Sequence, residues 1–252
     1  MISLKVFYHV YIPADLRACS WTWHVDQQLQ LIKHSKLHDI AQVNMLVTMP
    51  AYWYSLFGSD FMSIHTHAPI TFADKLREYV GARYPWVNVA EVRDISENLF
   101  EGATLKYFHQ MSMQEDFLGL YIHTKGIIPQ SSPSVGAWRE ILNHYCITQW
   151  AHNVKLLNTH QVVALNDILS VNAPVVSGNF FWARSDYVRT LCDPIQSTSY
   201  TENADCWPGS ANYRYAFELW VLHNNPQVHY VCDTSVNHYD EYCFLEDLIK
   251  KE

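Results

Sequence analysis

Three segments of this 252-residue chain combine residue types that could do chemistry, and the first of them is His123–Gly126. It directly follows FLGLYIH, which is a strongly apolar run. A buried strand that leads into a cation, a hydroxyl and a glycine offers suitable groups for an anionic phosphate. A solvated Lys-Gly turn is the ordinary alternative, and this segment alone does not decide between the two interpretations.

The second segment is Ser177–Arg184, which reads SGNFFWAR. Gly178 followed by Asn179 allows a tight turn and a close approach of the backbone to a ligand. Three consecutive aromatic residues follow, and we expect that not all of them face the core. Because sugar rings present apolar C–H faces, an exposed aromatic ring beside Asn and Ser would suit a saccharide. Core packing is the alternative, and it is the better interpretation for Phe180 or Phe181 taken singly.

The third segment, RYAFELW, contains Arg214 and Glu218 four residues apart. On a helix these side chains share one face, so they could form a simple salt bridge. The functional alternative is that the Glu218 carboxylate projects into a cleft as a general base. The sequence leaves both interpretations open.

Strands and helices alternate in the first half of the chain. The apolar patterns predict strands over Leu4–Ile12, Val43–Thr48, Trp86–Val92 and Phe117–His123, with helices over Trp23–Ile40, Thr71–Tyr84 and Glu101–Met113. This alternation predicts an α/β fold with a central, mostly parallel sheet flanked by helices. Ligands of such sheets bind beyond the carboxyl ends of the strands. That edge should carry Tyr8, His9 and Tyr11 after the first strand and His123–Gly126 after the fourth.

The second half has a different pattern. It predicts helices over Ser134–Leu157 and Tyr213–His223, a strand over Val228–Cys232, an irregular stretch over Val175–Ala183 and a polar loop over Ser197–Ser210. No repeat or low-complexity linker separates the halves. We therefore predict a single domain over residues 1–252, with functional halves of about 1–126 and about 127–252.

Composition argues against several classes of protein. Hydrophobic residues make up 49% of the chain, and the formal net charge is −8 without a Lys/Arg-rich run, so neither a disordered chain nor a nucleic-acid-binding protein is expected. No apolar run reaches the roughly 20 residues of a transmembrane segment, and Met1–Val10 lacks the basic region of a signal peptide.

The six cysteines are scattered without a CxxC pair, which predicts free thiols and a cytoplasmic protein. The P-loop and the GxGxxG fingerprint are absent, which argues against kinases, NTPases and nicotinamide enzymes.

The order of the segments carries a family resemblance. YIHTKG, then WRE on a long helix, then SGNFFWARSDYVRTL and RYAFELWVL resemble glycosyltransferases of the GT-A fold. The chain looks closest to the bacterial and large-virus polysaccharide-building group that carries HTKG and GNFWWA-like segments. The resemblance covers Phe117–Trp220, and the N-terminal half matches in strand–helix order. It implies a single Rossmann-like domain that transfers a hexose or pentose from a nucleotide-sugar to a hydroxyl of a glycan or glycoconjugate.

The resemblance also implies roles for individual positions. His123, Thr124 and Lys125 stand where such enzymes carry the metal-binding DxD motif, and no DxD occurs in this chain. Lys125, with Arg139 or Arg184, would then neutralise the donor diphosphate in a metal-independent way. The remaining implied positions are Tyr8, His9, Tyr11 and Gly126 for the donor, Gly178, Asn179, Trp182 and Arg214 for the sugar or acceptor, and Glu218 as the base of an inverting reaction.

Several alternatives stay open at this point. No metal is firmly implied, but if a divalent cation, Mn²⁺ or Mg²⁺, is bound, we expect it at Asp233 and His238, because some GT-A transferases use a late His as a ligand. A retaining mechanism follows if Glu218 is not the base. The rival function is a non-catalytic carbohydrate-binding or scaffold domain of degenerate transferase fold. Its stacking platforms would be Trp21, Trp23, Trp53, Trp182 and Trp207.

Overall fold

A computed structural model of the chain describes residues 2–12, 21–50, 72–95, 101–125, 133–165, 176–195, 213–231 and 245–246. The strands are β1 (Ser3–Tyr11), β2 (Ala41–Pro50), β3 (Val87–Ile95), β4 (Phe117–His123), β5 (Val162–Ala164), β6 (Phe181–Arg184) and β7 (Val228–Tyr230). The helices are α1 (Trp21–His34), α2 (Phe72–Arg83), α3 (Gly102–Ser112), α4 (Pro133–Asn143), α5 (Trp150–Leu156), α6 (Ser185–Val188) and α7 (Tyr213–Trp220).

The strands form one seven-stranded sheet in the order β3-β2-β1-β4-β6-β5-β7. β1 pairs in parallel with β2 and β4, β2 with β3, and β5 with β7. β6 runs antiparallel to both β4 and β5. The prediction of an α/β fold with a mostly parallel sheet flanked by helices is confirmed, and strands from both halves of the chain join the one sheet.

Helices cover both faces of the sheet. Val6, Tyr8 and Val10 of β1 belong to one buried cluster, which includes the apolar stripe of α1 and the inner side of α4. Phe7 belongs to the opposite cluster and stacks on Phe108 of α3, with ring centroids 4.2 Å apart. The alternation of side chains along a strand explains this division, because neighbouring residues point to opposite faces. We call these the α1 face and the α3 face.

Burial on both faces corrects the expectation for the three aromatics of the SGNFFWAR segment. Phe180, Phe181 and Trp182 are all fully buried. Residues 181–184 form β6 rather than an irregular stretch, so Phe180 and Trp182 join the cluster of the α1 face and Phe181 that of the α3 face. The expectation that not all three face the core was wrong, because the sheet has no solvent-exposed side at this strand.

Two predicted helices are shorter or less regular than their apolar patterns suggested. The helix predicted to reach Ile40 ends at His34, and Lys36 then adopts a left-handed φ of 66° before a short 3₁₀ turn. The helix predicted over Ser134–Leu157 is interrupted by a π-helical segment at His144–Thr148. β5 was not predicted at all, which is understandable for a strand of 3 residues. Within the described residues, no helix is long and apolar enough to cross a membrane.

A glycine before β6 gives a stability prediction. Gly178 has a φ of +69°, and a Cβ there would lie 2.6 Å from Leu142 Cδ1. We expect Gly178→Ala to lower the free energy of unfolding by about 2–4 kcal/mol, because left-handed strain and overpacking add. Urea denaturation followed by tryptophan fluorescence measures the change.

Gly136, which is half-buried on α4, provides the matched control. A Cβ at this position would meet nothing within 4 Å. Gly136→Ala should therefore stabilise the protein by up to about 1 kcal/mol, through helix propensity. If Gly178→Ala unfolds at the wild-type urea concentration, the described packing of the turn against α4 is wrong.

Candidate active site

The turn after β4, His123–Lys125, is fixed to the neighbouring strand β1, and we call it the HTK turn. Thr124 N–H donates to the carbonyl of His9 at 3.1 Å. The Thr124 hydroxyl accepts from the backbone N–H of Tyr11 at 3.0 Å. These bonds continue the pairing of β1 with β4 past the last strand residue. The prediction that the carboxyl ends of β1 and β4 lie together is therefore confirmed.

Two buried cations lie at the HTK turn. Lys125 Nζ lies 3.8 Å from the centroid of the Trp138 ring, and the Arg139 guanidinium carbon lies 5.2 Å from that of Trp23. Arg139 Nη1 also donates to the carbonyl of Lys125 at 2.9 Å. An anion bound at this turn would interact with both positive charges.

A buried polar chain supports the turn from the α1 face. The Tyr8 hydroxyl donates to Gln28 Oε1 at 2.7 Å, and Gln28 Nε2 donates both to the carbonyl of His123 and to Asn143 Oδ1, each at 3.1 Å. Burial raises the pKa of Tyr8 well above its usual range. Tyr8 is thus a neutral core residue, because its position in β1 points it at α1. This corrects the expectation that its side chain holds the donor nucleotide.

A carboxylate–imidazole pair lies on the α3 face of the same turn. His123 Nδ1 donates to Glu101 Oε1 at 2.9 Å, and both side chains are buried. A carboxylate only accepts, so this contact requires the proton on Nδ1. Glu101 directly precedes α3, and that helix start lies at the carboxyl edge of the sheet. The pair fixes the orientation of the His123 ring.

His9 is buried beside this pair. Its Nδ1 lies 2.9 Å from Thr104 Oγ1 and its Nε2 lies 3.4 Å from Thr48 Oγ1. Burial lowers the pKa of His9 to about 4, and the charge of nearby Glu101 opposes this shift only in part. His9 is therefore neutral near pH 7, and it supports the HTK turn through its backbone carbonyl instead of facing a ligand.

Glu218 approaches the site from α7. This helix packs closely on the start of α3, since a Cβ at Gly102 would lie 2.6 Å from Phe217 Cε1. Burial raises the pKa of Tyr121 well above its usual range, and the charges of Glu101 and Glu218 raise it further. Glu218 is itself buried. The structure therefore brings a buried carboxylate close to Tyr121, two residues before the HTK turn.

The turn before β6 lies beside the HTK turn. Asn179 is fully buried, has a left-handed φ of 55°, and donates its backbone N–H to the carbonyl of Val176 at 3.0 Å. Phe180 follows it and meets the His123 ring edge to face, with centroids 5.1 Å apart. Gly178 contacts the Leu142 and Trp138 side of α4. The predicted residues Gly178 and Asn179 thus lie beside the HTK turn.

The groups of the HTK turn do not suit a divalent metal ion. Mg²⁺ and Mn²⁺ prefer carboxylate and other oxygen ligands. The turn offers instead the Lys125 ammonium, which cannot coordinate a cation, and an imidazole whose Nδ1 is bonded to Glu101 at 2.9 Å. Among the described residues, no group of three or more His, Cys, Asp or Glu side chains is arranged to hold a metal ion.

Comparison with known proteins places the chain in a family. A family model described as a domain of unknown function (DUF8361) matches residues 7–247. The chain belongs to this family. No curated protein matches the sequence of this DUF8361 member at a significant level.

Similarity to solved structures is weak for this DUF8361 member. A crystal structure from Desulfovibrio desulfuricans G20, provisionally described as a nucleotide-diphospho-sugar transferase, matches with a TM-score of 0.39 and 9% identity. The match covers 92% of this chain and 80% of that one. A likeness of this size identifies no site, so the function must be inferred from the residues of the DUF8361 chain itself.

Two predicted site residues lie away from the HTK turn. Arg184 pairs with Leu118 at the beginning of β4, about 20 Å from the HTK turn at roughly 3.3 Å per residue, and its Nε donates to Asp186 Oδ1 at 2.9 Å. Arg184 therefore cannot assist Lys125. Trp182 is a core residue whose Nε1 donates to the carbonyl of Cys146 at 2.8 Å, so it presents no face to a sugar. The direction of β6, which is antiparallel to β4, explains both corrections.

Four further predicted positions cannot be placed. Gly126, Asp233 and His238 lie outside the described residues, as does the side chain of Arg214 on α7. Their roles stay predictions.

Sequence analysis missed three residues of the site: Glu101, Gln28 and Tyr121. Glu101 directly precedes the helix after β3, and helix starts in βαβ units lie at the carboxyl edge of the sheet, so its position was a usable signal. Gln28 lies within the apolar stripe of α1, between Val25 and Leu29, where a polar side chain is unexpected. Tyr121 gave no such signal, because a tyrosine in an apolar strand is ordinary.

The burial of His9 predicts an acid-sensitive stability. Its pKa is lowered from 6.5 to about 4 in the folded protein, so the unfolded chain takes up a proton first as the pH falls. The resulting stability is present above pH 6.5 and is lost as the pH falls toward about 4. We expect His9→Gln to remove about 2 kcal/mol of the difference in unfolding free energy between pH 7 and pH 4.5.

Urea denaturation at the two pH values measures this difference for wild type and variant. His34→Gln, in the exposed last turn of α1, is the control and should leave the difference unchanged. Equal acid sensitivity of His9→Gln and wild type would contradict the described burial of His9.

Proposed function

We propose that this chain is a glycosyltransferase. It would transfer a hexose or pentose from a nucleotide-sugar donor to a hydroxyl of a glycan or glycoconjugate acceptor, as in polysaccharide building. The observation that supports this proposal most is the pair of buried cations, Lys125 and Arg139, at the carboxyl end of the central strand β4. The donor diphosphate is a ligand that matches this charge and this position.

The leaving group is where these cations would act. When the bond between the anomeric carbon and the diphosphate oxygen breaks, negative charge develops on the nucleoside diphosphate. Lys125 and Arg139 are held in place before the reaction, so they stabilise that charge without a cost of reorganisation. In the proposed mechanism, these protein cations take the role that a metal ion has in enzymes with a DxD motif.

The acceptor would be activated by a carboxylate. In an inverting reaction, Glu218 removes the proton of the acceptor hydroxyl while its oxygen attacks the anomeric carbon from the face opposite the diphosphate. Glu218 is buried, and its charge acts on Tyr121, two residues before the HTK turn. The Glu101–His123 pair lies at the HTK turn, and it would keep the site rigid during transfer.

The first test concerns donor binding. Saturation-transfer NMR with UDP, GDP and their sugar derivatives, run in EDTA and then with Mn²⁺, should detect one donor family without metal. Lys125→Met should weaken its binding by at least tenfold, because a buried charge-assisted contact is worth about 1.5–3 kcal/mol.

Lys155→Met is the matched control, because Lys155 is exposed on α5 and should not affect binding. Binding only with Mn²⁺ would overturn metal independence and direct attention to Asp233 and His238. Absence of binding under both conditions would overturn the transferase proposal and favour the carbohydrate-binding alternative, for which the half-exposed Trp23 is the available platform.

The second test separates binding from chemistry. Glu218→Gln keeps the shape of the side chain and removes its basicity, so donor binding should persist while transfer or donor hydrolysis falls by 10²–10⁴-fold, the range of about 3–5 kcal/mol that general bases contribute. Glu140→Gln, exposed on α4, is the control and should retain full activity. Unchanged turnover of Glu218→Gln would remove it as the base and leave a retaining mechanism in place.

A further inference from the structure

Two fully buried polar side chains flank the HTK turn without a partner. Within the part of the chain that the structure describes, neither amide atom of Asn179 makes a hydrogen bond, and the Tyr121 hydroxyl makes none. Buried polar side-chain atoms are nearly always paired in folded proteins, and the rare exceptions require an explanation. Two such residues at one site point to a polar ligand.

Both residues are connected to the ring of His123. Tyr121 is aligned with Phe181 across β4 and β6, and their rings stack with centroids 5.3 Å apart. The ring centroids of Tyr121 and His123 are 6.2 Å apart, and those of Phe180 and His123 are 5.1 Å apart. Tyr121 therefore lies next to the imidazole of the Glu101–His123 pair, and Asn179 directly precedes a residue that contacts the same imidazole.

The conformation of Asn179 does not by itself explain its identity. Its φ of 55° is left-handed, which asparagine tolerates better than most residues. Glycine tolerates it better still and would leave no buried amide unpaired. The conformation of the turn therefore leaves the amide group without a role among the described residues, and a ligand contact would give it one.

The chemistry of the two groups indicates the ligand. An amide provides donors and an acceptor, and a neutral phenol provides one donor and accepts as well, so both complement hydroxyl groups. Burial, Glu101 and Glu218 raise the pKa of Tyr121, which keeps the phenol protonated. The same two carboxylates would repel a sugar acid.

We propose that Tyr121 and Asn179 bind hydroxyl groups of an uncharged donor sugar and so determine which sugar the site accepts. This inference rests on the proposed function, because it takes the cations of the HTK turn as the diphosphate site. Tyr121 and Asn179 would then form the sugar subsite on the side of the turn that carries His123.

A stability measurement tests whether the Tyr121 hydroxyl is unpaired in the protein itself. Tyr121→Phe should leave the Tm unchanged or raise it, since the substitution removes a buried polar atom that contributes no hydrogen bond. Tyr187→Phe is the control, because the Tyr187 hydroxyl donates to the carbonyl of Val221 at 2.9 Å. Its Tm should fall. A fall of equal size in Tyr121→Phe would mean that the phenol has a partner, and this would overturn the inference.

Calorimetric titration tests the sugar contact. UDP, UDP-glucose, UDP-glucuronic acid, GDP and GDP-mannose are titrated against wild type, Tyr121→Phe and Asn179→Gly, which keeps the left-handed backbone. We expect a neutral sugar to improve the Kd of its nucleotide by about tenfold in wild type, and this gain to vanish in both variants. The Kd of the bare nucleotide should stay within twofold, and UDP-glucuronic acid should bind no better than UDP.

The outcomes separate the two proposals. If no nucleotide binds wild type, the proposed function fails, and the sugar subsite falls with it. If a nucleotide binds but the variants keep the full gain from the sugar, the inference alone is overturned and Tyr121 and Asn179 hold buried water only. If UDP-glucuronic acid improves on the Kd of UDP as much as UDP-glucose does, the inference that the site selects an uncharged sugar is overturned.

Discussion

The candidate site depends on the attachment of the HTK turn to β1. Thr124 makes this attachment twice, through its N–H to the carbonyl of His9 and through its hydroxyl from the N–H of Tyr11. A loop after a strand would otherwise be free to adopt several conformations, at a considerable cost in entropy when it binds a ligand. Because the turn is fixed before any ligand arrives, the Lys125 cation that it carries is already in position.

β4 separates the positive and negative groups of the site. Lys125 and Arg139 lie against Trp138 and Trp23 beside the α1 face, while Glu101 and Glu218 lie on the α3 face. The site thus has a cationic region and an acidic region on opposite faces of the sheet. The proposed reaction would use the first for the leaving diphosphate and the second for the proton of the acceptor hydroxyl.

The sequence predicted the part of this arrangement that depends on local pattern. β4 was predicted with its observed ends, and the position of the HTK turn at the carboxyl edge followed from the alternation of strands and helices. The contacts that build the site join residues far apart in the chain, such as His9 with Thr104, which are 95 positions apart, and periodicity does not reveal such pairs. Arg184 was misplaced for a related reason: the direction of β6 is a tertiary property, and its reversal moves this residue to the far end of the sheet.

The break in the helix predicted over Ser134–Leu157 contributes to the site as well. Three residues of α4 contact the HTK turn or Gln28, which supports the turn: Trp138, Arg139 and Asn143. The π-helical segment begins directly after them. In a π-helical segment, the backbone hydrogen bonds join residues five apart along the chain instead of four. Such segments are often found at functional sites. Here the carbonyl of Cys146 accepts from the indole of Trp182, which ties β6 to this helix. Because β6 directly follows the turn that holds Asn179, this hydrogen bond connects the helical segment after Arg139 with the turn that carries the buried amide.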